Sequence, residues 1–367
     1  MTAVARKQRD KLAVHDAATP LLAWYDRERR ELPWRYPPGV KADPYRVWLS
    51  EIMLQQTTVK AVIPFFERFV SRWPTVKALA AASEDEVLEL WAGLGYYSRA
   101  RNLHTCARVV ASRPKAAFPR TEAELLELPG IGPYTAAAIA SIAFGQLASP
   151  VDGNIERVVS RLFAVQTPLP TAKAELRVLA ATLTPASRPG DFAQAMMDLG
   201  ATTCTPKRPS CLMCPLNRIC KATALGIADE LPRRAQKPER PVRYGIAFLA
   251  LREDGSVLLR RRPDRGLLAR MIEVPSTDWA DDEPDLPSVL QTAPLNADWW
   301  QVPGTIVHVF THFRLELTVM RAVVPVDSQL TFWAEQERCL WVPRRELKTQ
   351  ALPSVMRKII AHALKEN

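Results

Sequence analysis

The sequence predicts a mainly α-helical domain followed by a smaller α+β domain. Apolar residues recur at helical spacing over most of residues 21–225. Beyond residue 243 the chain shows short apolar runs and alternating segments, which are typical of strands. Between them, residues 231–243 carry three prolines and five basic residues against one acid, as an extended linker does. The 367 residues suffice for two cores, and we expect domains at 1–225 and 242–367 with a linker at 226–241.

The charge balance points to an anionic partner. The net charge is +10 and the pI is near 9.5; nucleic acid is the commonest such partner, although a merely soluble basic protein has the same balance. No apolar run approaches the roughly twenty residues of a membrane span, and the N-terminus lacks a signal peptide's apolar region. We therefore expect a cytoplasmic monomer that does not bind membranes and that associates with the nucleoid if the host is bacterial. Disulfides are disfavoured there, so Cys106 and Cys339 are interpreted as buried thiols.

A helix start is predicted at Asp43 and Pro44, a capping residue followed by a first-turn proline. Glu51 lies off the apolar face of this helix, and a solvated glutamate is the usual explanation of such a residue. Its neighbours favour another interpretation. Leu54 and Gln56 belong to a run of amides and hydroxyls with one apolar wedge, which suits contact with bases more than with phosphates.

Residues 124–145, ELLELPGIGPYTAAAIASIAFG, predict a helix, a tight turn and a second helix. Gly130 and Gly132 would allow close approach of two backbones, and Pro133 suits the first helical turn. The free N–H groups at that helix start could hold a phosphate oxygen without reading sequence. A plain turn between packed helices is the alternative, but the whole pattern favours a helix-hairpin-helix.

Asp152 precedes an amphipathic helix that begins near Ile155. The position predicts an N-cap. A helix N-terminus also stabilises an ionised carboxylate, which could then face a developing cation. The two interpretations are compatible.

Two segments mix aromatic and basic residues, LPWR at 32–35 and GLGYYSRARNL at 93–103. Such mixtures could stack on bases and bind phosphates. Ordinary helix surfaces have the same composition, so both interpretations stay open.

Four cysteines lie within seventeen residues, as C-x6-C-x2-C-x5-C at Cys204, Cys211, Cys214 and Cys220. A span this short cannot bury a core, so the spacing predicts four thiolates around one metal centre. Only the middle pair is short, which favours iron–sulfur and leaves zinc open. Basic residues surround the cysteines, so we expect the loop at 204–220 to touch phosphates.

The second domain begins with YGIAFLALREDGSVLLRRR, which predicts two strands joined by a turn at Asp254 and Gly255. Alternation around Leu315 and Leu317 predicts a further strand, and SVMRKIIAHALKE near the end predicts a helix.

Together these motifs resemble the MutY-type adenine DNA glycosylases of the helix-hairpin-helix superfamily. The resemblance rests on seven motifs in one order: LPWR, SEIMLQQT, GLGYYSRARNL, LPGIGPYTA, VDGNIERV, FAQAMMDLGA and the cysteine loop. It implies an N-terminal helix-hairpin-helix glycosylase domain, a [4Fe–4S] cluster on the four cysteines and a C-terminal Nudix-like domain. The implied substrate is adenine opposite 8-oxoguanine or guanine in double-stranded DNA.

The resemblance also implies roles for individual residues. Glu51 matches the general acid and Asp152 the catalytic aspartate, with Asn154 beside it. Tyr134 stands where bifunctional relatives carry a Schiff-base lysine, which implies a monofunctional glycosylase. Residues matched to the extruded adenine or to wedges in the base stack are Arg35, Leu54, Gln56, Tyr96 and Gln194.

The Nudix-like domain is implied to recognise 8-oxoguanine through Phe310, Thr311 and His312, with threonine where the family has serine. A hydrolytic Nudix box needs several glutamates along one helix, whereas the acidic residues at 278–285 lie among prolines and predict a solvated loop. Glu156 is another departure, at a position that some relatives fill with lysine. The alternatives are a bifunctional glycosylase/lyase, a non-catalytic DNA-binding protein and a Nudix hydrolase on a DNA anchor.

Overall fold

The computed structural model describes residues 16–236, 239–264, 266–331, 334–348, 350 and 352–365. The chain divides into two compact units, one formed by the described residues up to Gln236 and one by those after it. None of the described helices is long and apolar enough to cross a membrane.

The first unit is helical throughout. Its α-helices are α1 Ala18–Glu28, α2 Pro44–Leu54, α3 Val59–Arg72, α4 Val76–Ala81, α5 Glu84–Trp91, α6 Tyr97–Ser112, α7 Glu122–Leu126, α8 Pro133–Phe144, α9 Gly153–Phe163, α10 Lys173–Leu183, α11 Pro189–Thr202 and α12 Lys221–Leu225. Side-chain caps begin several of them, because the first N–H groups of a helix have no partner within it. The predicted cap is confirmed at Asp43, whose carboxylate accepts from the Tyr45 N–H at 2.9 Å.

Two glycines on α11 allow it to pack tightly against neighbouring helices. A Cβ atom on Gly190 would lie 2.5 Å from the Ser141 carbonyl oxygen of α8, and one on Gly200 would lie 2.7 Å from the Asn154 Cβ of α9. The sequence also predicts close approach at Gly130 and Gly132 of the hairpin. At Gly130, which has φ +76°, an added Cβ would lie 2.7 Å from the Asn102 Cβ, so a side chain approaches closely there, whereas no atom lies within 4 Å of an added Cβ at Gly132.

The residues after α12 continue the first unit. Ala228 and Leu231 are buried in a small cluster with Ala222 of α12. The Leu169 N–H donates to the Arg233 carbonyl at 2.8 Å, and the Ala235 N–H donates to the Leu169 carbonyl at 2.9 Å. The first part of the segment predicted as a solvated linker therefore packs on the helical unit.

The second unit is a mixed sheet with helices. Its elements are β1 Val242–Arg252, β2 Ser256–Arg261, β3 Ile272–Glu273, α13 Leu286–Leu290, β4 Trp300–Val309, β5 Arg314–Val324, β6 Cys339–Pro343 and α14 Ser354–Ala363. The strand order is β3-β2-β1-β5-β4, with β6 also on β2. β1 and β5 are parallel, whereas the other pairs are antiparallel. The predicted hairpin, alternating strand and closing helix are confirmed as β1–β2, β5 and α14.

The two isolated cysteines differ. Cys106 is fully buried, as predicted. The prediction is wrong for Cys339, which is only half-buried, because it is the first residue of β6, directly after a 3-10 turn at Gln336–Arg338.

Candidate active site

A cavity of about 430 Å³ opens in the first unit between α2, α8, α9 and α11. The following predicted site residues line it together: Arg35, Glu51, Leu54, Gln56, Tyr134, Asp152, Asn154 and Gln194. These residues come from four helices and from the loops before and after α2. The fold thus brings together side chains that lie far apart in the sequence.

Glu51 is buried within α2, with 6% of its surface exposed. The prevailing explanation from sequence, a solvated helix glutamate, is therefore wrong. Burial raises the pKa of Glu51 to about 7, and the charge of Asp152 adds to this rise. A hydrogen bond from Tyr134 and the charge of Arg35 act in the opposite direction. Glu51 can therefore hold a proton near neutral pH.

Asp152 caps α9, as predicted. Its Oδ1 accepts from the Ile155 N–H at 2.8 Å, and its Oδ2 accepts from the Asn154 Nδ2 at 2.9 Å. Donors to both oxygens fix the plane of the carboxylate at the cavity wall. The residue is an N-cap and a cavity residue at once.

Tyr134 is the second residue of α8 and interacts with both carboxyl groups of the cavity. Burial raises the pKa of its phenol well above 10, and the charges of Glu51 and Asp152 reinforce this rise. The phenol is therefore protonated and can donate. Its Oη lies 3.9 Å from the Met197 Sδ.

Arg35 is held by a residue that the sequence interpretation missed. Its Nη1 and Nη2 donate to the two carboxylate oxygens of Asp198 at 2.6 and 2.9 Å, and the Arg30 Nε donates to the same group at 2.6 Å. Burial lowers the pKa of Arg35, but the charge of Asp198 and its hydrogen bonds outweigh burial and raise it. Asp198 lies four residues after Gln194 on α11, so helical spacing from a recognised motif could have found it.

Gln56 and Tyr96 lie on two separate turns, and both have left-handed backbone conformations, with φ 55° and 50°. Such angles are uncommon outside glycine. Gln56 lines the cavity. Tyr96 does not line it, and 59% of the surface of this residue is exposed.

The predicted hairpin joins α7 to α8. Gly132 is the N-cap residue of α8 and has an extended backbone, and Pro133 is the first helical residue. No side chain caps this helix start. Its first N–H groups therefore remain available for a phosphate oxygen.

The four cysteines line one small cavity of about 30 Å³ between α9, α11 and the loop. None forms a disulfide. Burial raises the pKa of the Cys214 thiol to about 12, so thiolates here require a strongly positive partner. In the described ranges no three cysteine, histidine or acidic side chains are grouped to hold a metal ion. The thiolates that hold a [4Fe–4S] cluster lie further apart than the ligands of a single metal ion. Four cysteines around one cavity fit this requirement.

Arg157 of α9 connects the cysteine loop to Asn154 and Asp152, which line the cavity. Its Nε donates to the Cys204 carbonyl at 2.8 Å, and its Nη2 donates to the Asn154 Oδ1 at 2.9 Å. Asn154 in turn donates to Asp152. A continuous chain of hydrogen bonds therefore runs from the backbone of Cys204 to the Asp152 carboxylate.

In the second unit, the predicted recognition residues form the turn between β4 and β5. Phe310 packs between Trp279 and Phe313, with ring centroids 5.5 and 4.8 Å apart, whereas Thr311 and His312 are exposed. Residues 278–285 form no helix, and their carboxylates are exposed, as predicted. This stretch therefore lacks the acidic helix that a Nudix box requires.

The helix-hairpin-helix, the paired carboxyl groups and the cysteine loop define the first unit as a DNA glycosylase of the helix-hairpin-helix class. A model of HhH-GPD superfamily base excision DNA repair proteins matches residues 49–181, and a NUDIX domain model matches 246–362. Human adenine DNA glycosylase is 37% identical, over 92% of this chain and 72% of its own length. The adenine DNA glycosylase of Buchnera aphidicola (subsp. Acyrthosiphon pisum) is 31% identical, over 93% and 95%. The chain belongs to the adenine DNA glycosylase family.

A solved structure shares the fold of the first unit. The structure of a thermostable thymine-DNA glycosylase is similar with a TM-score of 0.52 and 30% identity, over 60% of this chain and 99% of that one. Family and fold make the protein an N-glycosyl hydrolase of base excision DNA repair.

Proposed function

We propose that the protein removes adenine mispaired with 8-oxoguanine or guanine in duplex DNA and leaves an abasic site without cutting the strand. One observation carries the proposal: Glu51, with a pKa near 7, shares a cavity with the Asp152 carboxylate. A proton donor and a fixed anion around one space are what hydrolysis of an N-glycosidic bond requires. The adenine specificity is supported by the relatives' names.

The target nucleotide must leave the base stack, because both carboxyl groups lie within the cavity. Unstacking costs a few kcal/mol per step, which inserted side chains can offset. Leu54 and Gln56 line the cavity, and Tyr96 is exposed on a separate turn. We assign Gln56 and Tyr96 to the space that the adenine vacates, and Arg35, Leu54 and Gln194 to positions beside the extruded base.

The first chemical step is protonation of adenine. The Glu51 carboxyl transfers its proton to N7, and the bond from C1′ to N9 then breaks with its electron pair going to the base. Protonation matters because an adenine anion is a poor leaving group. The raised pKa of Glu51 supplies the acid form at neutral pH.

The second step quenches the sugar cation. The Asp152 carboxylate stabilises the positive charge at C1′, directly or through a transient ester bond. Water then adds to C1′ and gives its proton to the Glu51 carboxylate, which restores the acid. The Tyr134 phenol and the Asn154 amide orient the two carboxyl groups.

The same cavity supports monofunctional chemistry. A lyase needs an amine that attacks C1′ and forms an imine, and a phenol at position 134 cannot form one. Sodium borohydride is therefore expected to trap no covalent complex with DNA. A trapped adduct would instead favour a bifunctional glycosylase/lyase.

The hairpin and the cysteine loop supply non-specific contacts to DNA. The backbone at Gly130 and Gly132 would hold a phosphate, and four exposed cations on or beside the loop would bind further ones: Lys207, Arg208, Arg218 and Lys221.

The cysteine loop would be held by a [4Fe–4S] cluster on Cys204, Cys211, Cys214 and Cys220. When bound, the cluster would supply the cationic centre that keeps the buried thiolates charged and the loop folded. The purified protein is expected to be brown and to contain iron and sulfide. A colourless, active protein with stoichiometric zinc would contradict this assignment.

The second unit is proposed to read the partner base. Thr311 and His312 are exposed at the tip of a turn that Phe310 anchors, so their polar groups can reach a base edge.

The proposal is tested by excision from four duplexes, with adenine opposite 8-oxoguanine, guanine, thymine or cytosine. We expect release of adenine from the first two only, and strand breaks only after alkali treatment. Binding without release from any duplex would favour a non-catalytic DNA-binding protein.

A further inference from the structure

Arg99 has a role that the sequence pattern concealed. It belongs to the segment GLGYYSRARNL, for which the sequence leaves open either contact with bases and phosphates or an ordinary helix surface. The structure turns Arg99 inward, and only 8% of its surface is exposed. A buried guanidinium cannot bind a phosphate on the DNA surface, so its charge serves another purpose.

One terminal nitrogen of the Arg99 guanidinium binds the C-terminal end of α2. Its Nη1 donates to the carbonyl oxygens of Ile52 and Met53, at 3.0 and 2.9 Å. These carbonyls belong to the last turn of the helix, where carbonyl groups have no hydrogen-bond partner within the helix. They follow Glu51 directly, and the chain then enters the turn that carries Gln56.

The other terminal nitrogen binds both turns that carry the proposed wedge residues, Gln56 and Tyr96. Its Nη2 donates to the Thr57 Oγ1 at 3.0 Å and to the Gly95 carbonyl at 3.4 Å. The guanidinium carbon also lies 5.3 Å from the ring centroid of Tyr96. Arg99 therefore binds the chain neighbour of each wedge residue, Thr57 after Gln56 and Gly95 before Tyr96.

Both wedge residues need such support. Their left-handed backbone conformations are uncommon for residues other than glycine, and surrounding contacts must maintain them. The Arg99 guanidinium donates to both turns and so joins them directly.

We propose that Arg99 is a positioning residue that fixes the two turns relative to each other, so that Gln56 and Tyr96 enter the duplex together. Arg99 would thereby control extrusion of the adenine and not cleavage of its bond. The inference rests on the proposed function, because it assumes that these two side chains enter the base stack.

Arginine suits this role better than lysine. Its planar fork directs donors to several acceptors in fixed directions, whereas an ammonium group is a compact point charge. Burial lowers the pKa of Arg99 to about 10, which still leaves the side chain charged at neutral pH.

The test compares Arg99→Lys with Arg108→Ala, which removes an exposed arginine from the same helix. Extrusion is followed by the fluorescence of 2-aminopurine placed at the adenine position, and excision by single-turnover kinetics. For Arg99→Lys we expect extrusion and excision to fall together by about tenfold or more. The midpoint of the pH–rate profile should stay at the wild-type value, because Glu51 keeps its surroundings. Arg108→Ala should match the wild type in all three.

A second pair of substrates isolates extrusion. One duplex carries a non-cleavable 2′-fluoro-deoxyadenosine opposite 8-oxoguanine, and the other carries a tetrahydrofuran abasic analogue that has no base to extrude. Arg99→Lys should lose affinity for the first duplex and keep it, within about threefold, for the second. Thr57→Val removes one contact and leaves Arg99 in place, so it should shift the same ratio less. This variant keeps the test open if substitution of Arg99 impairs folding.

Wild-type extrusion in Arg99→Lys would overturn the inference. So would a shifted pH midpoint with equal losses on both duplexes, because that outcome means general damage around Glu51. Failure of the proposed function is distinguishable, since the wild-type protein itself would then release no adenine.

Discussion

Glu51 and Asp152 have the same functional group but opposite environments. Glu51 is enclosed within α2 and α8, and burial dominates the rise of its pKa to about 7. Asp152 instead accepts hydrogen bonds from the N-terminus of α9 and from the Asn154 amide. One cavity thus contains a buried carboxyl group with a raised pKa and a second carboxyl group fixed by hydrogen bonds, and such a pair can divide acid and anion roles.

The raised pKa of Glu51 has a consequence for stability. The folded protein holds this proton up to a pH of about 7, whereas an unfolded chain releases it near 4.5. The stability that the group contributes is thus fully present below pH 4.5 and is lost as the pH rises through 7. The free energy of unfolding of Glu51→Gln, relative to that of the wild type, should therefore be higher above pH 7 than at pH 4, by up to about 3 kcal/mol.

Urea denaturation at pH 5 and pH 8 measures this difference. Glu89→Gln is the matched control, because Glu89 is exposed on α5 and its replacement should give no such pH dependence. An unchanged difference between wild type and Glu51→Gln at the two pH values would contradict the burial of an ionisable group at position 51.

At the scale of elements, α9 serves three parts of the site. Its N-cap is Asp152, its first turn supplies Asn154, and Arg157 on the same face reaches the cysteine loop. Gly200 lets α11 pack against this helix closely enough for its carbonyl to accept from the Arg157 Nη2 at 2.7 Å. One helix therefore connects the cysteine loop to the Asp152 carboxylate in the cavity.

This link predicts that Arg157→Ala impairs chemistry. Loss of the guanidinium frees the Asn154 amide that orients Asp152, so the single-turnover excision rate should fall by about tenfold or more. Affinity for an abasic-analogue duplex should change little. Arg177→Ala, which removes an exposed arginine from α10, is the control and should keep the wild-type rate. A wild-type rate for Arg157→Ala would show that the link is not needed.

Local rules predicted most elements but not their packing. The caps at Asp43 and Asp152, the β1–β2 hairpin and α14 follow from residues close in sequence. The burial of Glu51 does not, because it depends on α8, which lies about eighty positions later in the chain. The inward turn of Arg99 is equally invisible to local patterns, since its acceptors belong to α2 and to the turn that follows it.

At the scale of the whole molecule, the two units have different proposed functions. The first unit contains the cavity and the cysteine loop, and the second presents Thr311 and His312. Motif order identified the family. The contacts of Asp198 and Arg157 were not predicted, because each joins segments that only the fold brings together.

The second unit predicts a loss of discrimination without loss of chemistry. In the Thr311→Val, His312→Ala double variant, the preference for 8-oxoguanine over guanine should fall by about tenfold, because two polar contacts to the partner base are removed. Excision from the adenine–guanine duplex should change less. Gln291→Ala, at another exposed position of this unit, should keep the preference. Unchanged discrimination in the double variant would leave the turn without its proposed role.

The most direct measurement is single-turnover release of adenine opposite 8-oxoguanine by Glu51→Gln and Asp152→Asn, with binding to the same duplex measured in parallel. Each variant removes one carboxyl group and keeps the side-chain size. We expect both to bind the duplex and to release adenine at least about a hundredfold more slowly than the wild type. Near-wild-type release by either variant would contradict the division of roles between the two carboxyl groups.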